Sequence, residues 1–378
     1  MSRDSKRSKD IFLMITNDCN LSCKYCYEGI KDKRVISATK AKNILEKELD
    51  KNKKDFDEIF VVFHGGEPFL AFPEMKEISE WLWKTYPNRN IKCLVTTNGT
   101  VLTEKMKSWL TTNKNKFVPI LSIDGKQEYH DQNRPNSYKY IDKAFFLSNW
   151  PWQEVKMTIA PNTLPHIFDN FLELKEYGFI VNPSLAKEVE WNLEEALPLF
   201  ALEMKKLAHY FLENPNEKPC KLIDVGISDL SPLKNLPFNR ACGAGGDIIT
   251  YDVEGNPYPC HAFIGNPNMP YNKDAIDKTF SLLKQNNGAL LSKGCIGCHL
   301  YPICSPCYGL NYANRGNMGK FDPKMCEFNK VAVLATANMY AHMLSSEQSY
   351  EALKHKTQED LYLLASGIKH VLKAVQFQ

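Results

Sequence analysis

Cys19, Cys23 and Cys26 form a C-x3-C-x2-C array directly after the apolar run Ile11-Phe12-Leu13-Met14-Ile15. Such a run reads as a buried strand, so the three thiols sit on the loop that leaves it. A [4Fe–4S] cube is usually held by four thiolates. Three leave one iron open to a small chelating ligand. The same residues could also be ordinary thiols or part of a zinc site. Zinc sites, however, usually pair one C-x2-C with a second or with histidines, and here Tyr27 follows the third cysteine at once. A further set, Cys242, Cys260, Cys295, Cys298, Cys304, Cys307 and Cys326, falls in a stretch rich in Gly, Pro and Asn.

The elements that position these thiols follow from pattern. Apolar runs at Ile11–Ile15, Ile59–Phe63, Ile91–Val95, Phe117–Ile123, Val155–Ile159 and Phe179–Leu185 read as strands. Helical stretches near 37–50, 73–86, 103–112, 138–148, 165–177 and 194–213 separate and follow them. This alternation predicts an α/β fold, a parallel sheet with helices outside. Its strands should be buried on both faces. The arrangement fits a partial (β/α)6 barrel, in which chemistry gathers at the C-terminal ends of the strands. The cysteine loop follows strand 1, Gly65-Gly66-Glu67-Pro68 follows strand 2 and Thr96-Thr97-Asn98-Gly99 follows strand 3. Ser122-Ile123-Asp124-Gly125 closes strand 4, and Leu185 closes strand 6. All fall at one mouth.

Composition sets bounds on this reading. The 378 residues suffice for two or three domains, and 43% hydrophobic content supports sizeable cores. No apolar run is long enough to cross a membrane, and the charged stretch Met1–Asp10 lacks an apolar signal segment. The expectation is a cytoplasmic protein whose twelve cysteines stay reduced. Clusters or metal, not disulfides, are then the better use for them. A net charge of +3 does not argue for nucleic acid, and the lysines of 31–54 alternate with acids as on a solvated helix face.

The cysteine loop and the elements at the same mouth resemble the radical S-adenosylmethionine (SAM) superfamily. The resemblance implies a [4Fe–4S] cluster on Cys19, Cys23 and Cys26 whose open iron holds SAM. Reductive SAM cleavage would give a 5′-deoxyadenosyl radical, and the protein would supply position and shielding. Matched residue by residue, Gly65, Gly66 and Glu67 would bind the SAM amino group, and Tyr25 would pack near adenine. Ser122 and Asp124 would meet the ribose, Arg134 the carboxylate, and the Leu185 main chain the adenine; Asn98 joins the SAM-binding set. Each has a plainer reading: Tyr25 as core, Asp124-Gly125 as a turn, Arg134 as a surface ion pair.

From Cys242 to Cys326 there is little helical periodicity until residue 328. Ile248–Tyr251, Glu254-Gly255-Asn256 and Pro257–Pro259 read as a β-hairpin. This region resembles the SPASM extension of radical-SAM maturases, which carries two auxiliary [4Fe–4S] clusters, three clusters in all. The farther one would take Cys295, Cys298, Cys304 and Cys326, and the nearer one Cys242, Cys260 and Cys307. The last gap of the four-cysteine run is two residues here and three in the family. The stretch Gly243 to Pro259 also lacks a cysteine that fully ligated relatives have. The nearer cluster is therefore one thiolate short. His261, Cys220, water or another side chain could close it, or the iron is open to a substrate cysteine. Zinc is a further structural alternative.

Anaerobic sulfatase maturases share both halves, but carry an aspartate base where this chain has His261, and they carry the fourth auxiliary cysteine. The sequence around Cys242 and Cys260-His261 resembles instead maturases that install thioethers in Cys-rich ribosomal peptides, of the sactipeptide and ranthipeptide kind. Carbon–carbon crosslinking, as in cyclophane or quinone-cofactor maturases, is the alternative within enzymes, and a non-catalytic electron carrier the alternative outside them. No general base stands out; His261 is the candidate, with Asp252 and Glu254 nearby. The expected division is a barrel over 1–215, a linker over 216–239, an auxiliary-cluster domain over 240–327 and C-terminal helices over 328–378. The expected partners are a Cys-containing precursor peptide and a reductant such as flavodoxin or ferredoxin. About ten residues precede the first strand, too few for a leader-binding domain. Leader recognition would fall to the barrel surface, to helices at 328–345 and 349–376, or to a separate protein. Cys93 should point into the core, and Cys220 has no assigned role.

Overall fold

The structure, a computed structural model, describes residues 7–51, 56–234, 242–265, 271–285, 290, 293–295, 297–304, 306–346, 350 and 353–376. Strands β1 (Ser8–Thr16), β2 (Glu58–Gly65), β3 (Ile91–Thr97), β4 (Phe117–Leu121), β5 (Glu154–Ile159) and β6 (Ile180–Leu185) coincide with the six apolar runs. Between them lie helices α1 (Ala38–Lys51), α2 (Phe72–Thr85), α3 (Glu104–Thr112), α4 (Gln127–Asn133), α5 (Lys143–Asn149) and α6 (Ile167–Tyr177), and α7 (Leu193–Glu213) follows β6. Their starts are set locally. Thr103 caps α3 by accepting from the Met106 amide, and Asp142 caps α5 by accepting from that of Phe145. Gly178, at φ +108°, ends α6.

The fold is α/β with parallel strands, but its ladder is not continuous. β4, β3, β2 and β1 pair side by side, while β5 and β6 form a separate parallel pair. The two parts meet at a bridge between Ser122 and Lys156, where the Ile123 amide donates to the Lys156 carbonyl at 2.9 Å. The physical reason is on the next residues. The Thr158 amide, which would extend the ladder, donates to Asp124 Oδ1 at 2.9 Å instead. A backbone donor needs one partner, and here a side chain takes that place.

The strands are not buried on both faces as expected. In β1, β3 and β5 exposure alternates: Ile11, Leu13, Cys93, Val95, Val155 and Met157 face the helices and are buried, while Phe12, Leu94, Thr96 and Lys156 on the concave face are partly or fully accessible. The outer faces pack on Ala41, Leu45 and Leu49 of α1, and on Met75, Ile78 and Leu82 of α2, in one large core. Each of the Leu, Ile and Met side chains among them contributes about 1.5–3 kcal/mol.

β7 (Ile248–Tyr251) and β8 (Pro257–Tyr258) form the predicted hairpin. Asp252 Oδ1 accepts from the Glu254 and Asn256 amides to close its turn. The pairing of β7 was not foreseen: it lies parallel to β1, from Asp10–Ile248 to Leu13–Tyr251, and so extends the barrel sheet. Lys9 Nζ donates to the Gly246 carbonyl at 2.6 Å beside this seam.

The region expected to lack helices contains α8 (Lys273–Gln285) and α9 (Tyr308–Arg315). Ile276, Phe280 and Leu283 give α8 one apolar face, which packs with Ala244, Tyr258, Phe263, Tyr308 and Met318 in a small second core. Helix α10 (Pro323–Ser345) begins before 328 because Asp322 caps it and Pro323 opens it, so Cys326 lies in its first turns. The last helix, α11 (Gln358–Gln376), starts later than 349. Among the described residues, no helix is long and apolar enough to cross a membrane.

Candidate functional site

The loop leaving β1 returns to the barrel through backbone bonds. Gly66 N donates to the Thr16 carbonyl, Glu67 N to that of Asp18, and Lys24 N to that of Asn133 at the end of α4. Gly65 has φ +150°, and a Cβ there would collide with the Thr16 carbonyl oxygen. A Cβ on Gly66 would strike the Asp18 carbonyl oxygen and come within 2.8 Å of the Cys19 Cβ. Only glycine lets β2 end this close to the cysteine loop.

Cys19, Cys23, Tyr25, Cys26, Gly65, Gly66, Glu67, Asn98, Ser122 and Arg134 all line one cavity of about 150 Å³. They come from four strand-end loops and, for Arg134, from the end of α4. Leu185 is not among them. It lines a separate cavity of about 370 Å³ with Cys304, Cys307 and Cys326.

Two buried carboxylates organise the first cavity. Glu67 accepts from Phe69 N at 3.1 Å, Thr97 Oγ1 at 2.8 Å and Asn98 N at 2.7 Å. It thereby ties the end of β2 to that of β3. Burial pushes its pKa up to about 7, against the pull of those three donors. Asp124 accepts from Tyr25 Oη at 2.5 Å, Arg134 Nε at 3.1 Å and Thr158 N at 2.9 Å. It is 1% exposed, so it holds Tyr25 and Arg134 in place. The guanidinium lies 5.3 Å from the Tyr25 ring centre, so Tyr25 is neither a plain core residue nor Arg134 a surface pair. His130, on α4, accepts from the Asp124 amide through Nδ1 and pairs with Ser137 through Nε2 at 2.8 Å. Burial pushes its pKa down to about 4, consistent with a neutral ring. Asn98 donates to Asn20 on the cysteine loop at 2.9 Å.

The remaining cysteines fall into two groups. Cys260 has Cys307 and Cys242 as neighbours, and burial, then these thiols, raise its pKa. Cys304 has Cys326, Cys295 and Cys298, and burial pushes it up to about 11. Cys93 is buried against Ser79, and Cys220 is buried in the main core. Twelve free thiols are thus distributed as three, three, four and two. Desolvation raises the thiol pKa of Cys19, Cys23, Cys260, Cys304 and Cys326, whereas iron binds such groups as thiolates. The donor chemistry of the first three, all facing one cavity, fits a [4Fe–4S] cluster with an open position. Among the described residues, no group of three or more His, Cys, Asp or Glu is gathered tightly enough for a single metal ion.

His261 turns its ring toward the barrel mouth. It stacks on Phe12 at 5.5 Å, lies 4.4 Å from the His64 ring and has Nε2 3.3 Å from Tyr27 Oη. Its Nδ1 is buried without a hydrogen-bond partner. Burial, then His64 and Lys156, hold its pKa well below the usual histidine range. Tyr27 in turn has Glu28, Cys307, Cys26 and Cys260 among its neighbours. Sequence reasoning missed His64 and Glu28, which meet at 3.0 Å and line the first cavity. His64 occupies the last concave-facing position of β2, and that position could have identified it.

Comparison with known proteins matches residues 13–146 to the Radical SAM superfamily. The uncharacterized protein MJ0907 of Methanocaldococcus jannaschii is 35% identical over 270 residues, covering 68% of this chain and 86% of that protein. The cysteine-type anaerobic sulfatase-maturating enzyme of Clostridium novyi is 31% identical over 336 residues, 76% of this chain and 84% of that one. Two solved structures share the fold. Native anSMEcpe with bound AdoMet superimposes with TM-score 0.66 at 18% identity, over 89% of this chain and all (100%) of the other. Streptococcus suis SuiB bound to precursor peptide SuiA superimposes with TM-score 0.59 at 17% identity, over 84% and 76%.

Proposed function

This chain belongs to the radical SAM superfamily and is related to its peptide and sulfatase maturases, and from that premise we propose that it modifies a cysteine-containing precursor peptide by joining cysteine sulfur to carbon. The reading is supported above all by the thiol set Cys242, Cys260 and Cys307, which neighbours Tyr27 at the barrel mouth. The other cysteines are placed elsewhere, so a substrate thiolate would complete this set.

In this reading Cys19, Cys23 and Cys26 hold the SAM-binding cluster. Cys295, Cys298, Cys304 and Cys326 hold one auxiliary cluster, and Cys242, Cys260 and Cys307 the other. When bound, the first cluster and SAM supply a 5′-deoxyadenosyl radical that removes hydrogen from carbon. The chain's own residues then do the rest. Gly65 and Gly66 let the backbone approach the amino acid end of SAM. Arg134, held through Nε by Asp124, keeps its Nη groups for a carboxylate. Ser122 and Asn98 line the cavity, and Leu185 lines the separate one. His261, whose ring lies 4.4 Å from that of His64 at the barrel mouth, is the candidate group beside a substrate thiol, whose proton would pass to solvent as the sulfur binds iron. The electron that cleaves SAM would come from a partner such as flavodoxin or ferredoxin, and the electron released when the carbon radical joins the thiolate sulfur would leave through the auxiliary clusters.

Sulfatase maturation is the second reading, favoured by the Clostridium novyi relative. Against it stands His261, at the position of that family's aspartate base. To test both, reconstituted and reduced protein is incubated with SAM and a synthetic cysteine peptide. The expected products are 5′-deoxyadenosine and a peptide short of two hydrogens, with its thiol no longer open to alkylation. Oxidised cysteine without a crosslink would favour sulfatase maturation. A carbon–carbon link with free thiols would favour the cyclophane type. Absence of 5′-deoxyadenosine would overturn both.

A further inference from the structure

Lys156 stands alone in a concave wall otherwise balanced in charge. It occupies a concave-facing position of β5, between Val155 and Met157, which face the core. Its Nζ donates to Thr96 Oγ1 at 3.3 Å, and Thr96 lines the cavity of the cysteine loop. Its carbonyl carries the bridge to the β4 end beside Ser122. The ammonium therefore stands beside a residue that lines the cavity of the cysteine loop.

The neighbouring charges are all committed. Arg134 pairs with Asp124 at 3.1 Å, and Lys221 with Glu154 at 2.8 Å. Glu154 also accepts from Asn182 at 2.8 Å. Glu28 is taken by His64 at 3.0 Å, and Glu67 points away into its three donors. Among the described residues, no carboxylate lies within ion-pair distance of Lys156. Partial desolvation first, then the cations Arg134 and Lys221, lower its pKa. It in turn acts on His261. An accessible ammonium with one hydroxyl partner keeps donors free for an anion.

We infer that Lys156 binds a carboxylate of the peptide substrate, an acidic side chain near the modified residue, and so selects substrate register at the barrel mouth. The inference rests on the peptide-maturase reading. SAM also carries a carboxylate, so the test must separate the two sources.

The probes are synthetic peptides, acetylated and amidated, each with one cysteine and a single glutamate walked along the flanking positions, and the same peptide with glutamine throughout. Binding to the reconstituted protein with SAM is measured by fluorescence anisotropy, which needs no turnover and is indifferent to whether a thioether forms. One glutamate register should bind about tenfold more tightly than the glutamine peptide, the scale of one charge-assisted hydrogen bond. The gain should vanish in Lys156→Met, persist largely in Lys156→Arg, and leave SAM affinity unchanged in both. The inference is overturned if no register gains affinity, or if the gain survives Lys156→Met. Loss of SAM affinity in Lys156→Met, with peptide binding intact, would assign the ammonium to SAM.

Discussion

The barrel mouth and the cysteine-rich region solve one problem, placing thiols, by different physics. At the mouth, strand register and two buried carboxylates fix the loops. Glu67 joins β2 to β3, and Asp124 joins β4, β5, Tyr25 and Arg134. The cysteine-rich region has a small core and short helices, with Cys298 exposed and Cys242, Cys260, Cys295, Cys304, Cys307 and Cys326 half-buried. Small regions of this kind need a staple. The barrel should therefore hold its shape without iron, and the cysteine-rich region should not.

The sharpest way to break this comparison is a pair of triple variants. Cys19, Cys23 and Cys26→Ala should abolish 5′-deoxyadenosine formation and lower the iron content from about twelve to about eight per chain, with protease resistance unchanged. Cys295, Cys298 and Cys304→Ala should keep the barrel fragment intact while opening residues 293–326 to limited proteolysis. Equal resistance in both would show that the second region stands without its clusters.

Next in size is Asp124→Asn. It removes the charge opposite buried Arg134, and breaking such a pair costs about 3–5 kcal/mol. Urea unfolding should show that loss, and SAM binding should fall with it, because Tyr25 and Arg134 lose their anchor. A stability within about 1 kcal/mol of wild type would mean that Arg134 finds another partner.

Much of this was legible beforehand, unevenly. The strands showed because their core-facing residues are unmistakably apolar; the thiol groupings stand as a proposal from cysteine spacing and family resemblance. Helix α4 did not show. Its sequence Gln127–Asn133 is wholly polar, yet it buries His130 and Asn133. Polar residues buried through hydrogen bonds leave no periodic trace. Nor could Lys156, Thr96 and His64 be joined from sequence, since a lone lysine on a strand says nothing of which charges surround it. The β1–β7 pairing was hidden because four-residue strands carry no partner information.

The smallest effect concerns pH and the support behind Asp124. The folded pKa of His130 lies near 4, against 6.5 when unfolded. A base with a depressed folded pKa keeps its contribution above the unfolded value and loses it as pH falls through the folded one. The apoprotein should therefore lose about 3 kcal/mol from this group between about pH 6.5 and 4. In His130→Gln that part of the acid slope should disappear from a series of urea midpoints. An unchanged slope would place the acid sensitivity elsewhere.

The seam between β1 and β7 has a consequence for how the protein is born. Lys9 and Gly246, bonded at this seam, are 237 residues apart in the chain. During synthesis β1 can pair with β2 early, but its other edge stays open until β7 emerges. Contacts of such separation slow folding and expose an edge strand in the meantime. Because β1 feeds directly into the Cys19–Cys26 loop, a nascent chain carries its first cysteine loop on an unfinished sheet. Iron delivered during translation would meet that loop on a half-formed scaffold. Loading after release, once the chain has closed its own sheet, is the order this topology favours.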